Sequence, residues 1–253
     1  MKSSIDTINT RHAAIIDLLK INKKMTTEQL AKKVNVSMST IRRDLSVLEE
    51  KNELVRKYGY CIYNYNNHNF DETGPELIKI QIARAVNDYI KDYNTIFINS
   101  SSTALGALEY LTAKHLTIVT NNLKIAFSSH DSEYNYILTG GELRFPKEIL
   151  VGDIATNTIT SMNADVCIIG CSGISIENGV TTKIFHEAKI NEQMIKQTFG
   201  CRILVADHRK IGTTSKFKIS DISIFDYLIT DKYCPNDTIR QIEMLGVTVI
   251  QVQ

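Results

Sequence analysis

Residues 25–60 read MTTEQLAKKVNVSMSTIRRDLSVLEEKNELVRKYGY, and this stretch decides the fold of the N-terminal quarter. Thr26 and Gln29 stand at the spacing of a capping box, in which each side chain takes one orphan N–H of a first helical turn. Leu30, Ala31 and Val34 follow as an apolar stripe at helical spacing. Asn35 suits the left-handed conformation of a tight turn, because a short polar side chain tolerates it. Ser37 can cap the next helix, SMSTIRRDLSVLEEKN. That helix turns Ile41, Leu45 and Leu48 inward and leaves Ser39, Thr40, Arg42 and Arg43 outward or along its flanks. In ELVRKYGYCIYN, β-type residues flank Gly59, as in a two-stranded wing.

Outward from that stretch, a further helix runs from about Arg11 to Ile21, with His12, Ile15, Ile16 and Leu19 on one face. Two short helices joined by a tight turn are the minimum for reading a major groove, and a wing completes a winged helix-turn-helix over residues 1–63. Those residues carry 12 Lys/Arg against 7 Asp/Glu, while the rest carry 17 against 21. The total of +1 thus hides a basic first quarter, as expected where protein meets phosphate. Residues 64–75, NYNNHNFDETGP, are polar and end in Gly-Pro, the composition of a linker.

From 76 to 253 short apolar runs alternate with helical patterns. A helix from about Glu76 to Lys91 places Ile78, Ile82, Ala85, Val86 and Tyr89 on one face. Strand candidates are TIFIN (95–99), LTIVT (116–120), YNYIL (134–138), VCIIG (166–170), RILVA (202–206), DYLIT (226–230) and a final VTVIQV. Several are apolar throughout, as in strands covered on both faces of a mostly parallel sheet. The predicted fold class is therefore α+β with two domains: an N-terminal winged helix-turn-helix and a C-terminal α/β mostly parallel sheet.

The DNA-facing candidates are Thr27, Ser37, Ser39, Thr40, Arg42, Arg43, Arg56 and Lys57. Ser39, Thr40 and Arg42 are placed to reach bases or nearby phosphates, and Arg43, Arg56 and Lys57 to grip phosphate. Arginine suits both tasks because its planar fork matches guanine and phosphate oxygens. The alternative is a small helical domain with a solvated Arg/Ser face.

The same stretch resembles the DNA-binding domain of the DeoR/GlpR family of bacterial repressors. That family's recognition helix ends in S-x-x-T-[IV]-R-R-D-L, which Ser37, Thr40, Ile41, Arg42, Arg43, Asp44 and Leu45 reproduce in order. The wing departs, since the usual H-G-G stands here as Tyr58, Gly59 and Tyr60. The resemblance implies a ribose-5-phosphate-isomerase-like second domain that senses phosphorylated sugars. Its landmarks follow in order: INSSSTALGAL is similar to D-S-G-S-T-T, VTNNL to V-T-N-S-L, and TGGELR to L-G-G-x-x-R. GCSGIS with NGVTT is similar to G-A-D-G-I…G-L-T-T, EAKINEQMI to E-A-x-V-K-R-x-M, and ADHRKIG to A-D-x-S-K-F-G.

The effector-binding residues so implied are Asn99, Ser100, Ser101, Ser102, Thr103, Asn121, Gly140, Gly141, Arg144, Ser172, Thr181, Thr182, Glu187, Asp207 and Lys210. Asp207 would accept from sugar hydroxyls, Lys210 would meet phosphate, and the N–H groups after the first strand would cradle it. Each has a plain alternative: Ser and Thr as helix caps, Asp207 as a turn cap, Lys210 as a solvated charge, the glycines as turns. Four positions depart from the family pattern. Asn99 stands for Asp, Ser101 for Gly, Ser172 for Asp and Asn191 for Lys.

The expected function is transcriptional repression of carbohydrate genes, through a double-stranded DNA operator, a sugar-phosphate effector and a homo-oligomer. No cofactor is expected. An isomerase-type enzyme is the rival class, but it needs a carboxylate base with an acid or cation nearby. With Ser172 and Asn191 substituted, Glu187 is a poor catalytic set, and the pocket is expected to be short of ionisable groups. A regulator whose sensor answers another metabolite, or none, is the other alternative. The six histidines show no metal-ligand spacing, and the five cysteines, at irregular intervals, fit buried hydrophobes such as the two in CIIGC. No apolar run reaches the ~18 residues of a membrane span, and the start lacks a secretory apolar region. A cytoplasmic protein is expected.

Overall fold

Helix α1 (Lys2–Asn22) begins well before residue 11, where its apolar spacing first becomes readable. Strand β1 (Lys24–Thr26) leads into α2 (Thr27–Lys33), and α3 (Met38–Glu50) into the wing strands β2 (Leu54–Lys57) and β3 (Tyr60–Tyr63). The structure, a computed structural model, describes residues 2–22, 24–51, 53–57, 59–63, 74–127 and 133–253. Side chains of residues 2–7, 9, 20, 21, 57 and 63 lie outside that description. The chain forms two compact units, Met1–Thr73 and Gly74–Gln253.

Local chemistry sets the first unit. Thr26 and Gln29 form both bonds of the capping box, and Ser37 Oγ accepts from Thr40 N at 3.2 Å. Asn35 lies at φ 53°, the left-handed turn between α2 and α3. Ile15, Leu19, Leu30, Ile41, Leu45, Leu48 and Leu54 close into one buried core. The wing has three strands rather than two, because β1 pairs antiparallel with β3 outside the β2–β3 hairpin. Three residues are too few to show a period, so β1 is silent in the sequence. Tyr58 lies outside the described residues, as does most of the 64–75 segment. Its last two residues are not linker: Gly74 caps the next helix and Pro75 fills its first position, where a missing N–H is harmless.

The second unit opens with α4 (Pro75–Ala85), which continues as a 3-10 turn over Val86–Tyr89, so the regular helix ends earlier than its apolar spacing suggests. Then come β4 (Thr95–Ile98), α5 (Ser102–Gly106), β5 (Thr117–Thr120), β6 (Asn135–Leu138), β7 (Glu142–Arg144), β8 (Ile149–Val151) and α6 (Asp153–Thr160). The chain continues through β9 (Ala164–Gly170), β10 (Gly173–Ser175), β11 (Gly179–Thr182) and α7 (Phe185–Lys196). It ends with β12 (Thr198–Val205), β13 (Phe217–Ser220), β14 (Tyr227–Asp231), α8 (Asn236–Glu243) and β15 (Thr248–Val252).

Seven strands form one parallel sheet in the order β15-β14-β12-β9-β4-β5-β6. Along β4, Ile96 and Ile98 point into one buried layer and Phe97 into the other; Val166 and Ile168 alternate with Cys167 and Ile169 along β9. Period-two alternation between two apolar layers explains why these strands read as continuous β-branched runs. The hairpin β7–β8 and the small antiparallel sheet β10-β11-β13 lie outside this frame. The winding leaves β4 in one direction toward β5 and β6, then returns to its other side at β9. That reversal is a topological switch point, and the crevice beyond the carboxyl ends of two such strands is where doubly wound sheets bind ligands.

Candidate functional site

On the first unit, α3 presents Ser37, Ser39, Arg42 and Arg43 to solvent, with Thr40 and Thr27 half-buried. Ser37 spends its hydroxyl on the cap and lies 2.9 Å from the hydroxyls of both Ser39 and Thr40. Arg56 is anchored on α3: its backbone N donates to Glu49 Oε1 at 3.1 Å and its guanidinium to Ser46 Oγ at 3.2 Å. Arg56 is thus partly committed to fixing the wing against the helix. The side chain of Lys57 lies outside the described residues. Asp44, within the same helical motif, faces inward at 5% exposure. Its two oxygens take Arg11 Nε at 2.6 Å and Arg11 Nη2 at 2.9 Å, and His12 Nε2 lies 3.2 Å away. This triad ties α1 to α3 and so fixes the angle of the outward face.

In the second unit a cavity of about 620 Å³ opens at the switch point. The loop after β4 brings Asn99, Ser100, Ser101 and Ser102, and the loop after β9 brings Gly170, Cys171 and Ser172. The turn after β12 supplies Asp207, Arg209 and Lys210, β11 supplies Thr182, and α7 supplies Glu187 and Asn191. Lys124, Lys147 and Lys183 complete the wall. Nine of the residues expected to bind effector are therefore brought together: Asn99, Ser100, Ser101, Ser102, Ser172, Thr182, Glu187, Asp207 and Lys210.

Six are not. Thr103 is buried in α5, and Asn121 donates to Leu150 O at 3.2 Å, tying the loop after β5 to β8. Gly140 and Gly141 turn the chain at φ 69° and 108°, and a Cβ on Gly141 would meet Val151 O at 2.4 Å. Arg144 pairs with Glu142 on the exposed hairpin. Thr181 Oγ1 donates to Gly173 O and accepts from Ser215 N, bracing the small sheet. Each is held by backbone geometry or by a neighbour away from the cavity.

The expectation of a pocket short of ionisable groups is overturned. Five cations, Lys124, Lys147, Lys183, Arg209 and Lys210, line it with two carboxylates, Glu187 and Asp207. Glu187, 2% exposed, takes Lys147 Nζ at 2.7 Å, Thr182 Oγ1 at 2.7 Å and Ser100 Oγ at 3.3 Å. Asp207, 1% exposed, caps the turn after β12; it accepts from Arg209 N, Nε and Nη2 and lies 3.9 Å from Lys210 Nζ. Burial alone would push the Asp207 carboxyl up, but the Arg209 hydrogen bonds and the Lys210 charge outweigh it and hold it below the usual carboxylate range. Asp207 is thus the ionised partner of Arg209 and Lys210, and Glu187 pairs with Lys147. Burial pushes the Cys171 thiol up to about 12, which leaves it protonated and inert. Five cations against two paired carboxylates suit the wall to an anion.

Two departures from the family pattern have structural causes. Asn99 Oδ1 accepts from Ser101 N at 3.2 Å and Gly170 N at 3.0 Å, while Nδ2 donates to Gly170 O at 2.8 Å. An aspartate could accept but not donate, so the amide fits this clamp between the ends of β4 and β9. Ser101 has φ −68°, which needs no glycine, and its side chain caps α5. It fills the space beside Gly170, where a Cβ would lie 2.0 Å from Ser101 Oγ. The cradle at the start of α5 is smaller than expected, because α5 has five residues and little dipole to offer.

Sequence reasoning missed Lys124, Lys147, Lys183 and Arg209. Arg209 had a signal, standing between two candidates in ADHRKIG. Lys147 had none, since it comes from the β7–β8 turn 40 residues from its partner Glu187.

The family patterns agree with these two units. The DeoR-like helix-turn-helix domain matches residues 11–66, and the DeoR C terminal sensor domain matches residues 77–232. The chain belongs to the DeoR family. The HTH-type transcriptional repressor GlcR of Bacillus subtilis is 31% identical over 228 residues, 88% of each chain. The HTH-type transcriptional regulator GolR of Listeria innocua is 30% identical, covering 94% of this chain and 96% of its own. The glycerol-3-phosphate regulon repressor of Escherichia coli is 33% identical, covering 87% and 90%. A solved D-ribose-5-phosphate isomerase in complex with phospho-erythronic acid shares 12% identity at a TM-score of 0.40, covering 55% of each chain. This DeoR-family protein is a DNA-binding transcription regulator rather than an enzyme. Among the described residues no helix is long and apolar enough to cross a membrane, and no cluster of His, Cys, Asp and Glu could hold a metal ion.

Proposed function

We propose that the protein is a cytoplasmic repressor of carbohydrate genes that binds operator DNA as a homo-oligomer and is released by a phosphorylated sugar, without a cofactor. The observation that carries this reading is the charge of the switch-point cavity, where five cations face two carboxylates that are already paired. A dianionic phosphate compensates the excess, with Lys210 as its cation and Ser101 and Ser102 offering hydroxyls. The polar remainder of the wall, Thr182, Ser172 and Asn191, faces the sugar. One relative is the repressor of a glycerol-3-phosphate regulon, which supports the same ligand class.

The altered-sensor alternative loses ground at Asn99 and Ser101, which serve the loop's own structure. Pairing of protomers follows from DNA geometry, because one winged helix buries too little surface for tight specific binding. The effector must bind one quaternary arrangement better than another, or it shifts nothing. Calorimetric titration of the full chain tests the ligand claim. Binding of phosphorylated sugars, and at least about 10-fold weaker binding of the parent sugars, is expected. Equal binding of both, or of neither, would contradict it.

A further inference from the structure

We infer that Asn191 reads an uncharged, hydroxyl-bearing part of the effector, so that the ligand carries its anionic group at the Lys210 end only. This deepens the proposed function and rests on the cavity being the effector site. Glu187 and Asn191 stand four residues apart on one face of α7; each is 2% exposed and each lines the cavity. Their bonding differs sharply. Glu187 is saturated by Lys147, Thr182 and Ser100. Asn191 Oδ1 is buried with no hydrogen-bond partner.

Unpaired buried polar atoms are rare and destabilising, and each needs a reason. The other side-chain atoms in this state among the described residues, on Asn121, Ser220 and Thr230, belong to residues that do not line the cavity. Asn191 is where the missing partner can be a ligand. The chemistry of that partner follows from its surroundings. Lys147, the cation bonded one turn away, is already held by Glu187, so a second phosphate at Asn191 would sit beside a carboxylate whose partner cation is spent. A hydroxyl suits the position, because it both donates and accepts. It therefore matches the amide whichever way oxygen and nitrogen are turned.

The test uses the full chain, its Asn191→Leu variant and four probes: inorganic phosphate, glucose 6-phosphate, fructose 6-phosphate and fructose 1,6-bisphosphate. Affinity is read by calorimetry and the ligand-free melting temperature by circular dichroism. Inorganic phosphate should bind both proteins within about twofold, because it touches only the charged end. The tighter monophosphate should lose about 10-fold on Asn191→Leu, the scale of one neutral hydrogen bond. The bisphosphate should gain nothing over that monophosphate. The ligand-free variant should melt no lower than the wild type, since it removes an unpaired buried group.

Asn191→Ala, which leaves a void where Leu fills it, must show the same selective loss should the leucine variant fold poorly. Equal losses for phosphate and sugar phosphate, unchanged affinity, or a bisphosphate about 10-fold tighter than either monophosphate would overturn the assignment while leaving the cavity reading intact. Failure of the wild type to bind any of the four would overturn the cavity reading and this inference together.

Discussion

Asp44→Asn is the sharpest probe of how the recognition helix is held. The substitution keeps size and removes the charge that Arg11 contacts at 2.6 and 2.9 Å and His12 at 3.2 Å. Burial alone would raise the Asp44 carboxyl, but hydrogen bonds from Arg11 and His12 outweigh it and hold it below the ordinary range. Breaking a buried pair from one side costs about 3–5 kcal/mol, because the remaining charge stays behind uncompensated. The Arg11 side chain keeps 18% exposure and recovers some water, which brings the expectation to about 2–3 kcal/mol. For a domain of this size, about 4–8 °C per kcal/mol gives a fall of roughly 10–20 °C in the transition of the N-terminal unit.

The pH dependence has a definite sign. A depressed folded-state pKa contributes stability above the unfolded value of about 3.9, and that stability is lost as pH falls through the folded value. Wild type and variant should therefore differ at pH 7 and converge below about pH 4 in thermal melts. Replacing both partners, with Arg11→Met added, should recover part of the loss. An Asp44→Asn protein that melts within about 1 °C of wild type at pH 7 would refute the triad's role.

Arg42→Ala should cost about 1–3 kcal/mol on the preferred duplex and relax its sequence preference, whereas Lys57→Ala should weaken all duplexes alike and reduce the salt slope by about 1. Anisotropy titrations at two salt concentrations separate the two effects, and no change in either variant would contradict the groove placement. Asn99→Asp removes the donor to Gly170 O and buries a charge, so the sensor unit should lose about 1–3 kcal/mol; an undiminished melting temperature would show the clamp to be idle. Lys210→Ala should raise the sugar-phosphate concentration for half-maximal release by about 10-fold or more, and an unshifted release curve would remove Lys210 from the site.

Much of this was legible because it is local. The capping box at Thr26, the left-handed Asn35 and the cap at Ser37 depend on residues within four positions of one another, and the sequence displays them directly. The seven parallel strands were readable as short β-branched apolar runs, because the inner ones are covered on both faces. What escaped depends on distance in the chain. β1 and the β7–β8 hairpin are three-residue strands, too short for a period. Lys147 reaches Glu187 only because the hairpin turn comes to the mouth of the switch point. Asp44 reads as one more polar residue of a DNA-binding helix until α1 packs against it and shows it to be internal.

The most direct measurement is a fluorescence-anisotropy titration of the duplex immediately upstream of the protein's own coding sequence. It is run at two salt concentrations, with phosphorylated sugars and with their parent sugars. Affinity about 100-fold or more above that for a scrambled duplex, loosened by a phosphorylated sugar and untouched by its parent, is the expected result. Equal affinity for both duplexes would contradict an operator at this site, and tight binding that no phosphorylated sugar alters would contradict release by such an effector.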